Sequence, residues 1–166
     1  MSRAFVKEPE SGAPDEPLPP RRISEHPNYV TPSGLQLLQD DLGRLTAERA
    51  ALLSAGDDAV ALEQLRHVER DIAYVEARLG SAILVDPATQ PPDQVAFAAI
   101  VTVREQGGHE HTYQIVGEDE ADAQAGQVSD VSPLAQALLG SRVGDTVTWK
   151  RPLGDLVLTV VSIAYR

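Results

Sequence analysis

The chain has 166 residues, with 14 Lys and Arg against 25 Asp and Glu, a formal charge of −11. Such an acidic surface disfavours autonomous DNA binding, which depends on clustered Lys and Arg facing phosphates. The absence of cysteine excludes disulfides, zinc–thiolate sites and a cysteine nucleophile. No apolar run reaches the roughly 18 residues of a membrane span, and the start MSRAFVKEPE lacks the apolar core of a signal peptide. The expectation is a soluble, cytoplasmic protein without a membrane partner, whose 42% hydrophobic share can form a core with little help from seven aromatics.

Residues 1–30 read as a Pro-rich tail. Seven of the twelve prolines fall in the first 33 residues, and Pro14–Arg22 is extended because proline fixes φ and removes a donor. Phe5, Val6 and Tyr29 are its candidates for docking on a neighbouring surface. From Thr31 the pattern becomes helical, with Thr31 as N-cap and Pro32 in the first turn. Leu35, Leu38, Leu42, Leu45 and Leu52 follow 3-4 spacing, with Arg49 in the skipped slot. Leu62, Leu65, Val68, Ile72, Val75 and Leu79 form a second stripe closed by Gly80. Two such stripes joined by the polar turn Gly56-Asp57-Asp58 predict an antiparallel coiled-coil hairpin over residues 31–86. Each arm spans roughly 30–35 Å and projects into solvent.

A linker at 87–94 leads to a C-terminal domain at 95–166. Val95–Val103, Thr112–Val116, Thr146–Arg151 and Leu156–Tyr165 read as strands, and Pro152–Asp155 as the turn of the final hairpin. Ser132–Gly140 reads as a compact helix with Ser132 as cap and Pro133 at its first position. The fold class is therefore α+β: a helical hairpin followed by an antiparallel β domain with one short helix.

Several words in this order make the chain resemble the Gre family of bacterial transcription elongation factors. They are Tyr29–Gly34 (YVTPSG), Ile83–Asp86 (ILVD), Thr112–Asp122 (TYQIVGEDEAD), Ser132–Ala135 (SPLA), Ala137–Gly140 (ALLG) and Val143–Asp145 (VGD). The start Ser2–Glu8 (SRAFVKE) is similar to the GreB-like branch. The resemblance implies an FKBP-like C-terminal domain that docks at the rim of the RNA polymerase secondary channel. It implies a coiled coil that threads the channel and brings tip carboxylates to a Mg²⁺ ion of the polymerase active site. Hydrolysis of backtracked RNA is then promoted at a two-metal centre belonging to the polymerase. The expectation is therefore a monomeric factor with no enzyme activity, cofactor or metal of its own, which touches RNA only indirectly.

The family tip reads Gly-Asp-x-x-Glu-Asn, and its counterpart here is Gly56–Ala61. Gly56 and Asp57 match, whereas Val60 and Ala61 stand at the Glu and Asn positions. Asp57 and Asp58 are the candidate carboxylates, although either would also serve as the helix cap. By the family's proportions the hairpin is about one heptad shorter per arm, which removes about 10 Å of reach. Ligation of Mg²⁺ at about 2.0–2.1 Å cannot absorb that deficit by side-chain rotation, so either the body sits deeper in the channel, the docking differs, or the tip does not reach the metal.

Ser132, Pro133, Leu134 and Ala135 are the candidate polymerase-binding residues, with Pro133 and Leu134 expected at the surface. Arg44, Arg49, Arg66 and Arg70 are weaker candidates for RNA or channel-wall contact. Interleaved with Glu48, Glu63, Glu69 and Asp71, they also suit i,i+4 pairing on a solvated face. Glu118–Glu120 with Asp122 reads as a solvated acidic turn. Three functions compete: a transcript-cleavage factor acting through Asp57 and Asp58; a non-cleaving regulator that occupies the channel and inhibits or competes with cleavage factors; and, on fold analogy alone, a peptidyl-prolyl isomerase.

Overall fold

The computed structural model describes residues 17–166; Phe5 and Val6 lie outside them. Thr31 starts α1 (Pro32–Ser54) by accepting a hydrogen bond from the Gly34 amide at 2.9 Å. A second helix, α2 (Ala59–Ser81), returns alongside it. Both have 23 residues, about 35 Å of helix. Leu38 and Leu45 of α1 meet Val68, Ile72 and Val75 of α2 in a buried seam, flanked by half-buried Leu35, Leu42, Leu52 and Leu79. Leu62, expected in that seam, is 44% exposed, and Ala61 is buried instead. A strict seven-residue repeat carried back from Val75 through Val68 lands on Ala61, so the heptad rather than residue size selects the seam.

The hairpin is closed at its base by a short parallel ladder. Strand β1 (Tyr29–Val30) pairs with β2 (Ile83–Leu84), with flanking bonds from Ile83 N to Asn28 O and from Val85 N to Val30 O. Asn28 and Val30, placed by the sequence in the tail, are buried here. The chain entering α1 and the chain leaving α2 are thus spliced together.

The C-terminal part is a five-stranded sheet in the order β5-β4-β3-β7-β6, built from β3 (Ile100–Glu105), β4 (Glu110–Val116), β5 (Gln127–Ser129), β6 (Thr146–Trp149) and β7 (Leu156–Ala164). The sheet is antiparallel as expected except at one edge, where the additional short strand β5 runs parallel to β4. The chain crosses back through residues 117–126 before pairing, as a parallel partner requires. The expected strand at Val95–Val103 begins only at Ile100. Its first half is a buried irregular segment in which Ala98 adopts φ +71° and donates to the Ile115 carbonyl at 2.9 Å. Helix α3 (Pro133–Leu138) packs Leu134, Ala135 and Leu138 into a core with Val101, Val103, Ile115, Leu158 and Val160.

Gly117 marks where the two parts touch, since a Cβ there would overlap the Tyr29 carbonyl oxygen. Both sides of that contact are backbone. Gly117→Ala should therefore cost about 1–3 kcal/mol in denaturant unfolding. Gly43→Ala, in mid-helix with open space around it, should instead stabilise by up to about 1 kcal/mol.

Candidate functional site

The turn between the helices is built from Gly56, at φ +69°, and two aspartates with different work. Asp58 is the N-cap of α2: its Oδ2 accepts from the Ala61 amide at 3.0 Å, satisfying one of the free donors of the first turn. Asp57 is exposed and has no hydrogen bond or ion pair among the described residues. Around them Leu53 and Val60 are exposed, Val60 at 64%. The tip thus presents one unengaged carboxylate, a second with one oxygen committed, and an apolar rim. Among the described residues no group of three His, Asp or Glu is arranged to hold a metal ion. No described helix is long and apolar enough to cross a membrane.

At the other end of the hairpin lies a charged clamp. Arg78, in the last turn of α2, is 1% exposed. Its Nε donates to Asp119 Oδ2 at 2.5 Å and its Nη2 to Asn28 Oδ1 at 2.7 Å. Glu118 Oε2 stands 3.6 Å from the same Nη2, an ion pair too long to be a hydrogen bond, and that oxygen is buried without a donor. Asn28 returns its own amide to the Arg78 carbonyl at 2.8 Å. Tyr74 donates its hydroxyl to Asp119 at 2.6 Å, and Thr31 donates to Glu120 at 2.6 Å. The acidic turn Glu118–Glu120, expected to be solvated, therefore grips both helices at their base, and Glu120 is buried. Burial, then the bond to Asp119, holds the Tyr74 phenol above its ordinary value.

This clamp escaped sequence reasoning. Its signal was present as Tyr74 and Arg78, spaced by four and lying off the heptad seam. A run of carboxylates follows in the next domain.

The remaining candidates separate. Ser132 caps α3, accepting from the Ala135 amide at 3.3 Å, and Pro133 is exposed beside it. Leu134, expected at the surface, is only 3% exposed, and Ala135 is fully buried. Four residues give the helix one inward face, and Leu134 falls on it with Leu138. Arg44 pairs with Asp41 at 2.5 Å and Glu48 at 3.4 Å. Its hydrogen bond to Asp41 and that residue's charge hold the guanidinium above its ordinary pKa. Arg66 pairs with Glu63 at 2.8 Å, and Arg70 lies 3.8 Å from Asp71. Arg49 is half-buried with no ion pair among the described residues. The tip, the arginines and Pro133 do not form one cluster; they are spread along the molecule's length.

Arg78→Leu should lower stability by about 3 kcal/mol, because it strands partly buried carboxylates rather than removing a complete pair; urea unfolding measures it. A second expectation concerns Asp130, whose carboxyl is pushed up by burial and then by the Glu118 charge. A raised folded pKa means that the ionised form carries a cost, which appears as pH rises through about 4. Asp130→Asn should therefore raise the melting temperature at pH 7, and the difference should close at pH 3.

A family model described as "Transcription elongation factor, GreA/GreB, C-term" matches residues 90–165. Transcription elongation factor GreB of Neisseria meningitidis serogroup B is 34% identical over 157 residues, covering 86% of this chain and 96% of that protein. GreA of Alkalilimnicola ehrlichii is 39% identical over 152 residues, covering 82% of this chain and 96% of that protein. Among solved structures, the prokaryotic transcription elongation factor GreA/GreB from Nitrosomonas europaea is 25% identical, with a TM-score of 0.42 over 83% of this chain and 99% of that one. With such identity to the curated relatives over nearly their whole length, the chain belongs to the GreA/GreB family of transcription elongation factors.

Proposed function

We propose that this factor binds RNA polymerase and enters its secondary channel with the hairpin tip leading, presenting Asp57 toward the Mg²⁺ of the polymerase active site. The observation that carries the reading is the state of the tip. Gly56 makes the turn, Asp58 caps α2, and Asp57 is left exposed with every acceptor position open to a partner. A carboxylate in that state can complete a metal shell or orient a water without first breaking an internal bond. Asp58 supports it with its second oxygen. The factor performs no reaction alone; the ion and the reacting RNA belong to the polymerase. Ser132 and Pro133 form the accessible part of the docking surface at the channel rim. Leu134 and Ala135 shape that surface from below.

A second reading has the hairpin occupying the channel without contributing to cleavage. It is favoured by Val60, an exposed apolar side chain where the family pattern has Glu, and by the cap that Asp58 already makes.

Transcript cleavage in a stalled, backtracked elongation complex decides between the two. If the tip acts on the metal, the factor should shorten the RNA 3′ end. Asp57→Asn should then lose that activity by at least about a hundredfold, the scale of a group acting directly in the chemical step, with polymerase affinity nearly unchanged. Asp58→Asn keeps the cap, since Asn caps as well as Asp, and should lose less. No shortening at saturating factor, with binding intact, would establish the occupant instead. Pro133→Glu should weaken capture of core polymerase by placing charge at the contact. Unchanged affinity would remove α3 from the docking surface.

A further inference from the structure

The chain preceding the hairpin does not leave it at the base. Asn28 is locked there, buried and bonded to Arg78 and Ser81. From Asn28, taken toward the N-terminus, residues 27 to 17 climb along one flank of α2, where Arg21 also borders a cleft with Leu37, Asp40 and Asp41 of α1. Arg21 lies over the Tyr74 ring, its guanidinium carbon 3.8 Å from the ring centre, and reaches Asp71 at 3.3 Å. Higher up, Pro17 and Leu18 border Arg66, Glu69 and Arg70 around a shallow cleft of about 230 Å³. The stripe from Arg66 to Arg78, about 18 Å of helix, is thus overlaid by extended chain. Toward the tip α2 continues from Ala59 to Leu65, about 10 Å, beyond the reach of the described overlay.

The overlay is lightly held. Among the described residues no backbone hydrogen bond joins residues 17–27 to the helices, and Arg21–Asp71 is their one side-chain hydrogen bond to α2. Both members of that pair are a third or more exposed, a setting in which ion pairs and cation–π contacts are weak. Pro17, Pro19 and Pro20 carry no amide donor and hold the chain extended whether or not it is seated. Unseating it therefore leaves no backbone group stranded. At Asn28 the situation reverses, with three side-chain bonds and the β1–β2 ladder, so the chain has a firm hinge next to a loose strap.

We propose that residues 17–27 are a releasable strap that sets how far the hairpin enters the polymerase. Seated, the strap thickens the hairpin over most of α2 and stops entry after the outermost turns. Contact with the channel displaces it, pivoting at Asn28, and lets the hairpin advance. The proposal rests on the channel-binding reading above.

The cysteine-free chain makes the test direct, because Leu18→Cys with Glu69→Cys supplies the molecule's two thiols. Spin labels on this pair should report a single short distance in the free factor and a longer one once core RNA polymerase is added. Joining the two thiols with a short bismaleimide should weaken polymerase binding about tenfold, and Arg21→Ala, which loosens the strap in advance, should tighten it about threefold. A short distance retained in a formed complex would overturn the strap while leaving the channel reading in place. So would a joined form that binds as well as the free one. If neither form binds polymerase, the channel reading itself fails and the strap proposal falls with it.

Discussion

The geometry of the molecule depends on one buried cation. Arg78 is shut off from solvent, so its charge must be met by protein groups, and those groups come from two places remote from α2 in sequence: Asn28 before the hairpin, and the acidic turn of the β domain. A guanidinium with donors fixed in a plane can satisfy such a set only in a narrow range of arrangements. Burying an ion pair is weak evidence for added stability, but losing one partner is costly. The clamp therefore acts as a directional device more than as glue. Thr31 and Tyr74 extend it by tying the start of α1 and the side of α2 to the same acidic turn.

The two ends of the hairpin accordingly follow opposite rules. At the base, polar groups are paired, buried and held between elements of distant sequence. At the tip they are exposed, and the one bond made by an aspartate there serves the helix itself. The proposed channel-entering function needs both: a base that fixes where the tip points, and a tip whose carboxylate is not already spent on the fold. The separation of Asp57 from Asp58 shows how two adjacent, chemically identical residues divide by position. The cap geometry recruits the residue immediately before the helix and leaves its neighbour free.

The sequence disclosed what is local. The caps at Thr31 and Ser132, the turn at Gly56, the two helices and the later strands rest on spacing and on residues that act within a few positions of themselves. It failed where long-range packing decides. Leu134 follows a capping Ser-Pro pair and resembles an exposed binding residue, yet the sheet beneath α3 claims it. Glu118–Glu120 has the composition of a solvated turn, and only its juxtaposition with Arg78, some forty residues earlier in the chain, makes it structural. Leu62 was drawn into the seam by its hydrophobicity, whereas the heptad register counted from Val75 excludes it. The tip chemistry was legible as residue types, but which aspartate would be free was not, because both satisfy the preferences of a helix cap.

The parallel ladder of β1 and β2 makes the hairpin a lever. Its two helical arms are joined at the far end by a turn and at the near end by paired backbone, so neither arm can slide along the other without breaking both. Motion is then confined to rotation of the whole hairpin about the clamp. With an arm of about 35 Å, a tilt of only 5° at the base sweeps the tip through roughly 3 Å by the same helix-length geometry. That displacement exceeds the length of a metal–oxygen bond. A sub-ångström adjustment around Arg78 is thereby magnified into the difference between touching a target and missing it.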